Sequence, residues 1–390
     1  MHKKVELTEL FYDLVFVYAI SQMTEFIHHL HHGVIPLANI YSGILALVIL
    51  VNTWMIETIF TNRYGSNSLL DIGFMVVNMG AMLYLANTFT VEDAARNYLP
   101  FVSVVGVASL TLLLQYIVCY KRTNDLVTRQ TTKGFIGILS FRLVMIVISL
   151  FLPFYIGVTV FATGIALSTF YPLFQLKQKE VTPVDFPHLL ERVTLLVIIM
   201  FGEMIISVAP TFTINSFNIY SVLLLLIIVA LFFFYIIEFD HVIDEKQKNI
   251  SGYALIYLHY PIFMGISMVT VSLTFLHEAQ LENSWFVIGF LYTGLAIFYL
   301  AILAHKGYNK ASHSYSKALL AGLCLTYSIG LLLSLVFRHD AQALIVILFV
   351  LTFLMADFFL VFNVRRMAKN MGIRKREFVL GDPDRYRKDK

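Results

Sequence analysis

The sequence predicts an all-α polytopic membrane protein with about twelve transmembrane helices in two parallel six-helix repeats. Composition gives the first indication, because hydrophobic residues make up 58% of the 390-residue chain and charged residues only 14%. A soluble domain carries about a quarter charged residues. The second indication is a pair of acids twelve positions apart that recurs 178 positions later, as Asp13 with Glu25 and as Glu191 with Glu203.

Twelve windows of about twenty apolar residues meet the length criterion for a spanning helix. They lie near 10–29, 36–60, 69–89, 98–119, 134–152, 154–175, 187–209, 217–238, 253–276, 284–304, 317–337 and 341–363. Lys3 and Lys4 precede the first window, as in a signal peptide, but acids interrupt that window and no small-residue cleavage site follows it. We therefore expect an uncleaved first span.

The distribution of basic residues predicts the orientation of the spans. With a cytoplasmic N-terminus, 24 of the 28 Lys and Arg residues fall on the cytoplasmic side, and only Arg96 and Arg338 fall in outer loops. Short cytoplasmic loops carry such an excess in membrane proteins. Both termini are therefore expected in the cytoplasm.

The repeated acids divide the chain into two halves that enter the membrane in the same direction, because each half has six spans. The tetrapeptide Asn-Ile-Tyr-Ser, at 39–42 and again at 218–221, recurs after 179 positions, one more than the acid pair. The predicted segments are an N-terminal repeat at 1–178, a cytoplasmic linker at 179–186, a C-terminal repeat at 187–364 and a basic cytoplasmic tail at 365–390. The tail is interpreted as a positive-inside anchor, with contact to anionic lipid as the alternative.

Ionisable side chains inside the spans are the candidate functional residues, because burying them in lipid is expensive. The principal candidates for a proton, ion or substrate site are Asp13, Glu25, Glu191, Arg192 and Glu203. A supporting polar network is predicted at Glu9, Glu57, Asp71, Arg142, His188, Glu238, His259 and Asp357. Acids outnumber permanent cations on the cytoplasmic side, so some must hold protons, bind cations or face water. The alternative is an interfacial group that is solvated or paired across helix ends and fixes helix packing, and it applies to Glu57, Asp71, Glu238, Asp357 and Glu203.

Two of these candidates carry specific expectations. Arg192 should pair with Asp13 or Glu9 of the N-terminal half, because a buried arginine without a partner costs several kcal/mol. Glu203 lies among Ile, Met and Phe with no basic residue within four positions. It is therefore the predicted coupling site, with Glu25 sharing its proton.

Other chemistry is not indicated by the sequence. A histidine cluster follows the first span, but no acid or cysteine in that loop completes a metal site, and a titratable surface loop is predicted. The cluster consists of His28, His29, His31 and His32. Catalytic and phosphate-binding motifs are absent from the sequence, so neither a cofactor nor a nucleic-acid partner is predicted.

Two stretches resemble the signatures of a known family. Residues 9–20, Glu-Leu-Phe-Tyr-Asp-Leu-Val-Phe-Val-Tyr-Ala-Ile, resemble the opening signature of the bacterial low temperature requirement protein A family. Residues 187–203, which begin Pro-His and end Gly-Glu, resemble its second signature, although Val193-Thr194 replaces an aromatic-glycine pair. The residues that match are Glu9, Asp13, Glu191, Arg192, Gly202 and Glu203.

The resemblance implies a multi-pass protein of the bacterial cell membrane, linked by name to growth in the cold, and it supplies neither substrate nor reaction. The twelve spans, the repeat and the excess of buried acid favour a proton- or cation-coupled secondary transporter. A membrane-embedded lipid-handling enzyme is one alternative, and a non-catalytic sensor or structural membrane protein is the other.

Overall fold

A computed structural model describes residues 3–88, 94–175, 182–247, 250–310 and 313–371, with only the backbone described at 94–95, 173–175 and 364–371. These ranges contain twelve long helices. They are α1 Leu7–Ile27, α2 Leu37–Tyr64, α3 Leu69–Ala86, α4 Ala94–Arg122, α5 Leu126–Leu150, α6 Phe154–Gln175, α7 Phe186–Val208, α8 Ile219–Ile236, α9 Tyr253–His277, α10 Ser284–Ala304, α11 Lys317–Val336 and α12 Ala341–Met371. Each is long and apolar enough to cross a membrane. The all-α polytopic fold class is therefore confirmed.

Local sequence signals set where several of these helices begin. Ser68 caps α3 and Asn218 caps α8, each accepting a backbone N–H of the first turn. Asp185 caps α7. Pro187 suits the first turn because it has no backbone N–H, and an N–H at that position would have no acceptor within the helix. Gly252, before α9, has φ +74°, a conformation that disfavours residues with a Cβ.

The contacts divide the chain into two compact units, and the first comprises Met1–Pro210 and Glu245–Ile302. It holds α1 to α7, α9 and nearly all of α10. Helix α2 is the most enclosed span that the structure describes, with 83% of its spanning window buried. It contacts α1, α4, α6, α7 and α9. The polar side chains of α2 between Asn52 and Asn62 are buried and therefore face protein rather than lipid.

The second unit comprises Thr211–Asp244 and Leu303–Lys390 and contains α8, α11 and α12. Helix α12 packs against α8 and α11. Phe234 and Phe359 are both fully buried and stack with ring centroids 4.3 Å apart. Helix α8 continues into a π-helical turn, Ile237–Val242. Such turns are frequent at functional sites.

These units interleave along the chain, so they are not the two sequence halves. Superposition of the halves stays a prediction, as do the domain bounds based on it. Part of the predicted linker, up to residue 181, lies outside the described residues. The predicted tail begins as a continuation of α12 to Met371, and its remainder, 372–390, also lies outside them.

Candidate functional site

Helices α1 and α7 lie side by side and run in the same direction. Glu9 contacts His188 and Asp13 contacts Arg192, each across 179 positions of sequence. Near the other end Ser21 contacts Glu203 across 182 positions. A nearly constant separation requires parallel helices, and all five principal candidates lie on this one helix pair.

Arg192 binds both acids at the N-terminal end of α1. Its Nη2 and Nε donate to Asp13 at 2.6 and 3.2 Å. Its Nη1 lies 3.1 Å from Glu9 Oε1, an ion pair whose angle falls outside hydrogen-bond alignment. Arg192 and Asp13 are fully buried and Glu9 is 3% exposed. The predicted pairing of Arg192 with Asp13 or Glu9 is confirmed, and it involves both acids.

One neutral aromatic side chain contacts both charges of this ion cluster. Trp54 of α2 donates its indole N–H to Asp13 Oδ1 at 2.7 Å. The Arg192 guanidinium carbon lies 5.8 Å from the centroid of the same indole ring. The indole therefore orients the carboxylate and supplies a cation–π contact to its partner.

His188 links the cluster to the loop before α7. Its Nδ1 lies 2.9 Å from Asn62 Nδ2 and its Nε2 lies 3.1 Å from Glu9 Oε2. Asn62 is fixed in orientation because its Oδ1 accepts the N–H of Asp185 at 2.9 Å. Its amide N–H therefore faces Nδ1, which must accept, and Nε2 carries the proton that it donates to Glu9.

The charges in the cluster do not cancel. Two carboxylates face one guanidinium, and the histidine in this tautomer is neutral. The low dielectric of the interior strengthens each attraction, while removal of the one cation would leave two carboxylates desolvated. The arrangement therefore locks the N-terminal ends of α1 and α7 together.

A polar cavity lies at the opposite end of the same helix pair. It has a volume of about 360 Å³ and is lined by Ser21, Thr24, Glu25, His28, Glu203, Ile206, Ser207, Pro210, Thr270, Val271, Thr274, His277 and Glu278. Glu25 lies sixteen residues beyond Glu9 on α1, a distance of about 24 Å at 1.5 Å per residue. The cavity therefore opens at the far side of the membrane-spanning segment from the ion cluster.

Glu203 and Glu25 both line this cavity, as their predicted partnership requires. Ser21 donates its hydroxyl to Glu203 Oε1 at 2.7 Å. The prediction of apolar surroundings for Glu203 is wrong, because helices α1 and α9 supply polar groups to the cavity. The residues that flank Glu203 on its own helix give no sign of these groups. Its side chain is half-buried and faces water-accessible space.

Two further candidates in the first unit lie outside the ion cluster. Glu191, although adjacent to Arg192, is exposed. Asp71 Oδ2 accepts the backbone N–H groups of Ser66 and Ser68 at 3.1 and 3.3 Å, so it stabilises the start of α3. Asp71 is thus an interfacial capping residue, which was the alternative for the supporting network.

Arg142 and His259 are buried, and each contacts a neutral group. Arg142 Nε donates to Ser168 at 2.8 Å and its Nη2 donates to Asn52 Oδ1. His259 Nδ1 lies 2.7 Å from the carbonyl oxygen of Leu255 in its own helix. The structure therefore places both outside the α1–α7 ion cluster.

The second unit holds two of the candidates. Glu238 is fully buried in the π-helical turn, and Tyr315 donates its hydroxyl to Glu238 Oε1 at 2.5 Å. Asp357 is exposed on α12. Glu238 is therefore a buried polar contact and Asp357 is a surface residue of this unit.

Several contributors were not predicted from the sequence. Ser21, Trp54, Asn62 and Gln115 each bind a candidate acid or histidine. Their only signal was a polar or amphipathic side chain within an apolar span, since polar groups in lipid-spanning helices need partners. The partner itself lies on another helix, which single-helix periodicity does not reveal.

Within the described part of the chain, the predicted histidine loop contacts an acid through His28, whose Nε2 lies 3.6 Å from Glu278 Oε2. His31 and His32 stack edge to face with centroids 4.2 Å apart. Across the described part of the chain, no three His, Cys, Asp or Glu residues are grouped to hold a metal ion.

The sequence profile of one family, described as Bacterial low temperature requirement A protein (LtrA), matches residues 4–356. No curated protein and no solved structure matches the chain. Because the match covers most of the chain, this protein belongs to the low temperature requirement A family. The expected family is thereby confirmed.

Proposed function

We propose that this multi-pass member of the low temperature requirement A family is a secondary transporter coupled to protons or another cation. One observation carries the proposal: a single parallel helix pair is closed by buried ion pairs at one end and lines a polar, acid-containing cavity at the other. A site that reaches water from only one side is the geometry that alternating access requires.

The cavity supplies the proposed coupling groups. Glu203 and Glu25 are carboxylates on a water-accessible surface within the spanning segment, and Ser21 holds one Glu203 oxygen at 2.7 Å. Carboxylates in this position can exchange a proton or a hydrated cation with the adjoining solution. Their charge then changes within a region where charge is energetically important.

The ion cluster supplies the proposed gate. Opening the N-terminal ends of α1 and α7 separates Arg192 from Asp13 and Glu9, which is costly while all three are buried. Water entering that end would solvate the separated charges and offset much of the cost. Glu191, a principal candidate from the sequence, is exposed, so the proposed gate consists of Arg192, Asp13 and Glu9.

Flux through reconstituted protein tests the proposal. Liposomes that contain the purified protein and an internal pH-sensitive dye are exposed to a proton gradient with a panel of small solutes. Wild-type protein should move protons in a solute-dependent manner, and Glu203→Gln should abolish that flux. The amide retains the shape of the acid and still accepts the Ser21 hydroxyl, so folding should be retained.

Glu282→Gln is the matched control, because Glu282 is an exposed glutamate that does not line the cavity. It should leave the flux unchanged. Full flux in a folded Glu203→Gln protein would contradict the assignment of the coupling site. Protein-dependent lipid turnover without flux would favour the enzyme instead.

A further inference from the structure

A third buried carboxylate among the described residues of the first unit, besides Glu9 and Asp13, has one hydrogen-bonded oxygen and one oxygen without a partner. Glu57 of α2 is 1% exposed, and Gln115 of α4, also 1% exposed, donates its amide N–H to Glu57 Oε1 at 3.0 Å. Glu57 Oε2 and Gln115 Oε1 are both buried, and neither has a hydrogen-bond partner among the described residues. Two adjacent side chains thus each present an unsatisfied acceptor oxygen.

The carboxylate also has no counterion within the described part of the chain. Among the described residues, no Lys, Arg or His nitrogen forms an ion pair with Glu57, and Arg192 is already bound to Asp13 and Glu9. An unpaired buried charge and two unsatisfied acceptors are each destabilising. The site as it stands therefore has the charge and the ligands for a cation.

A cavity connects Gln115 to one end of the spanning segment. It has a volume of about 390 Å³, and its lining includes Gln115, Tyr64, Asp71, Cys119 and Arg122. Gln115 lies seven residues before Arg122, the last residue of α4, which is about 10 Å at 1.5 Å per residue. Gln115 therefore forms the deep end of the cavity, with Glu57 directly behind it.

We infer that Glu57 and Gln115 form a binding site for a dehydrated monovalent cation of the sodium type, reached through this cavity. One carboxylate charge matches one positive charge, and carboxylate and amide oxygens are ligands for hard cations. A proton is the competing occupant, because a protonated Glu57 Oε2 can donate to Gln115 Oε1 and satisfy both oxygens. A sodium-dependent melting temperature distinguishes the two occupants, because a proton alone gives no such dependence.

This site is separate from the Glu203 cavity and does not depend on the transport proposal. The test measures binding, so it needs no substrate and no flux. Sodium binding without flux would contradict only the proposed function, and flux without sodium binding would contradict only this inference.

The experiment compares the melting temperature of solubilised protein in sodium with that in N-methylglucamine, a cation too large for the site, at constant ionic strength. Binding to the folded state should raise the melting temperature of the wild type with increasing sodium. Glu57→Gln should weaken the apparent sodium affinity at least about tenfold, and Gln115→Leu should weaken it several-fold. Glu282→Gln should respond like the wild type.

Direct binding of radioactive sodium to the wild type gives a second measurement, and Gln115→Leu keeps the test available should Glu57→Gln fail to fold. Equal wild-type melting temperatures in the two cations would overturn the inference. An undiminished sodium response in both variants would also overturn it, because the ion would then bind elsewhere.

Discussion

Replacing Arg192 with methionine should destabilise the solubilised protein by about 3–5 kcal/mol, the usual loss when one partner of a buried ion pair is removed. The guanidinium makes three contacts of 3.2 Å or less with Asp13 and Glu9. Methionine fills much of the same volume but leaves both carboxylates without a cation. The loss is therefore one of charge compensation rather than of packing.

The structure assigns most of this loss to Asp13. Glu9 keeps two donors, His188 Nε2 at 3.1 Å and the backbone N–H of Glu6 at 3.0 Å, whereas Asp13 keeps only Trp54. Protonation limits the penalty, since neutralising an aspartate of ordinary pKa at pH 7 costs about 4 kcal/mol. The double variant Asp13→Asn with Arg192→Met should recover at least about 2 kcal/mol of the loss, a coupling typical of contacting residues.

Thermal unfolding followed by intrinsic fluorescence checks this prediction. At about 2 °C per kcal/mol for a large chain, Arg192→Met should lower the melting temperature by roughly 6–10 °C. Midpoints must be compared at one scan rate, because such unfolding is often irreversible. Arg338→Met, a change outside the cluster, is the control. Equal melting temperatures for wild type and Arg192→Met would refute the reasoning.

Three further predictions concern single positions. Trp54→Phe keeps the ring but removes the indole donor to Asp13, so the free energy of unfolding should fall by about 1.5–3 kcal/mol in the same melting assay. Burial lowers the pKa of Lys3, so its folded state binds fewer protons than its unfolded state as pH approaches 10.5. Stability should therefore rise with pH through that alkaline window, and Lys3→Met should remove the rise. A cysteine introduced at Tyr386, with the native cysteines replaced, should resist an impermeant thiol reagent on intact cells, because the C-terminus is predicted to be cytoplasmic. Efficient labelling would contradict the predicted topology.

The twelve spans and the Arg192 partnership were predictable because a bilayer imposes strong local constraints. A stretch of about twenty apolar residues has few alternatives to a spanning helix. A permanent cation such as Arg192 must also find an acid, and Asp13 and Glu9 were the nearest at the same depth. Length and charge alone were therefore sufficient for both predictions.

The remaining contacts depend on which helix faces which, and the sequence of one helix carries little of that information. Gln115 and Glu57 meet only because α4 packs on α2, and Ser21 meets Glu203 only because α1 packs on α7. Glu191 shows the converse, since its position matches Asp13 in the sequence repeat while its side chain is exposed. Matching spacing predicts a matching position along a helix and leaves the environment undetermined.

The two ends of the α1–α7 pair differ in charge, with Arg192 and its acids at one end and Glu25 and Glu203 at the other. If the halves superpose, Glu25 and Glu203 are equivalent residues, and Arg192 lies next to the equivalent of Asp13. Opposite charges then hold one end closed, whereas like charges face a common cavity at the other, where their repulsion favours an open state.

Neutralising the acids at the cavity end, by a proton or a bound cation, would remove that repulsion and let this end close. The double variant Glu25→Gln with Glu203→Gln should therefore shift the protein toward a state in which the cavity is shut. A cysteine at Ser207, which lines the cavity, should react several-fold more slowly with a water-soluble thiol reagent in the double variant than in the parent. A cysteine at exposed Glu282 should react equally in both backgrounds. An unchanged rate at position 207 would mean that the charge on these two acids does not control the opening, and the link between coupling site and gate would fail.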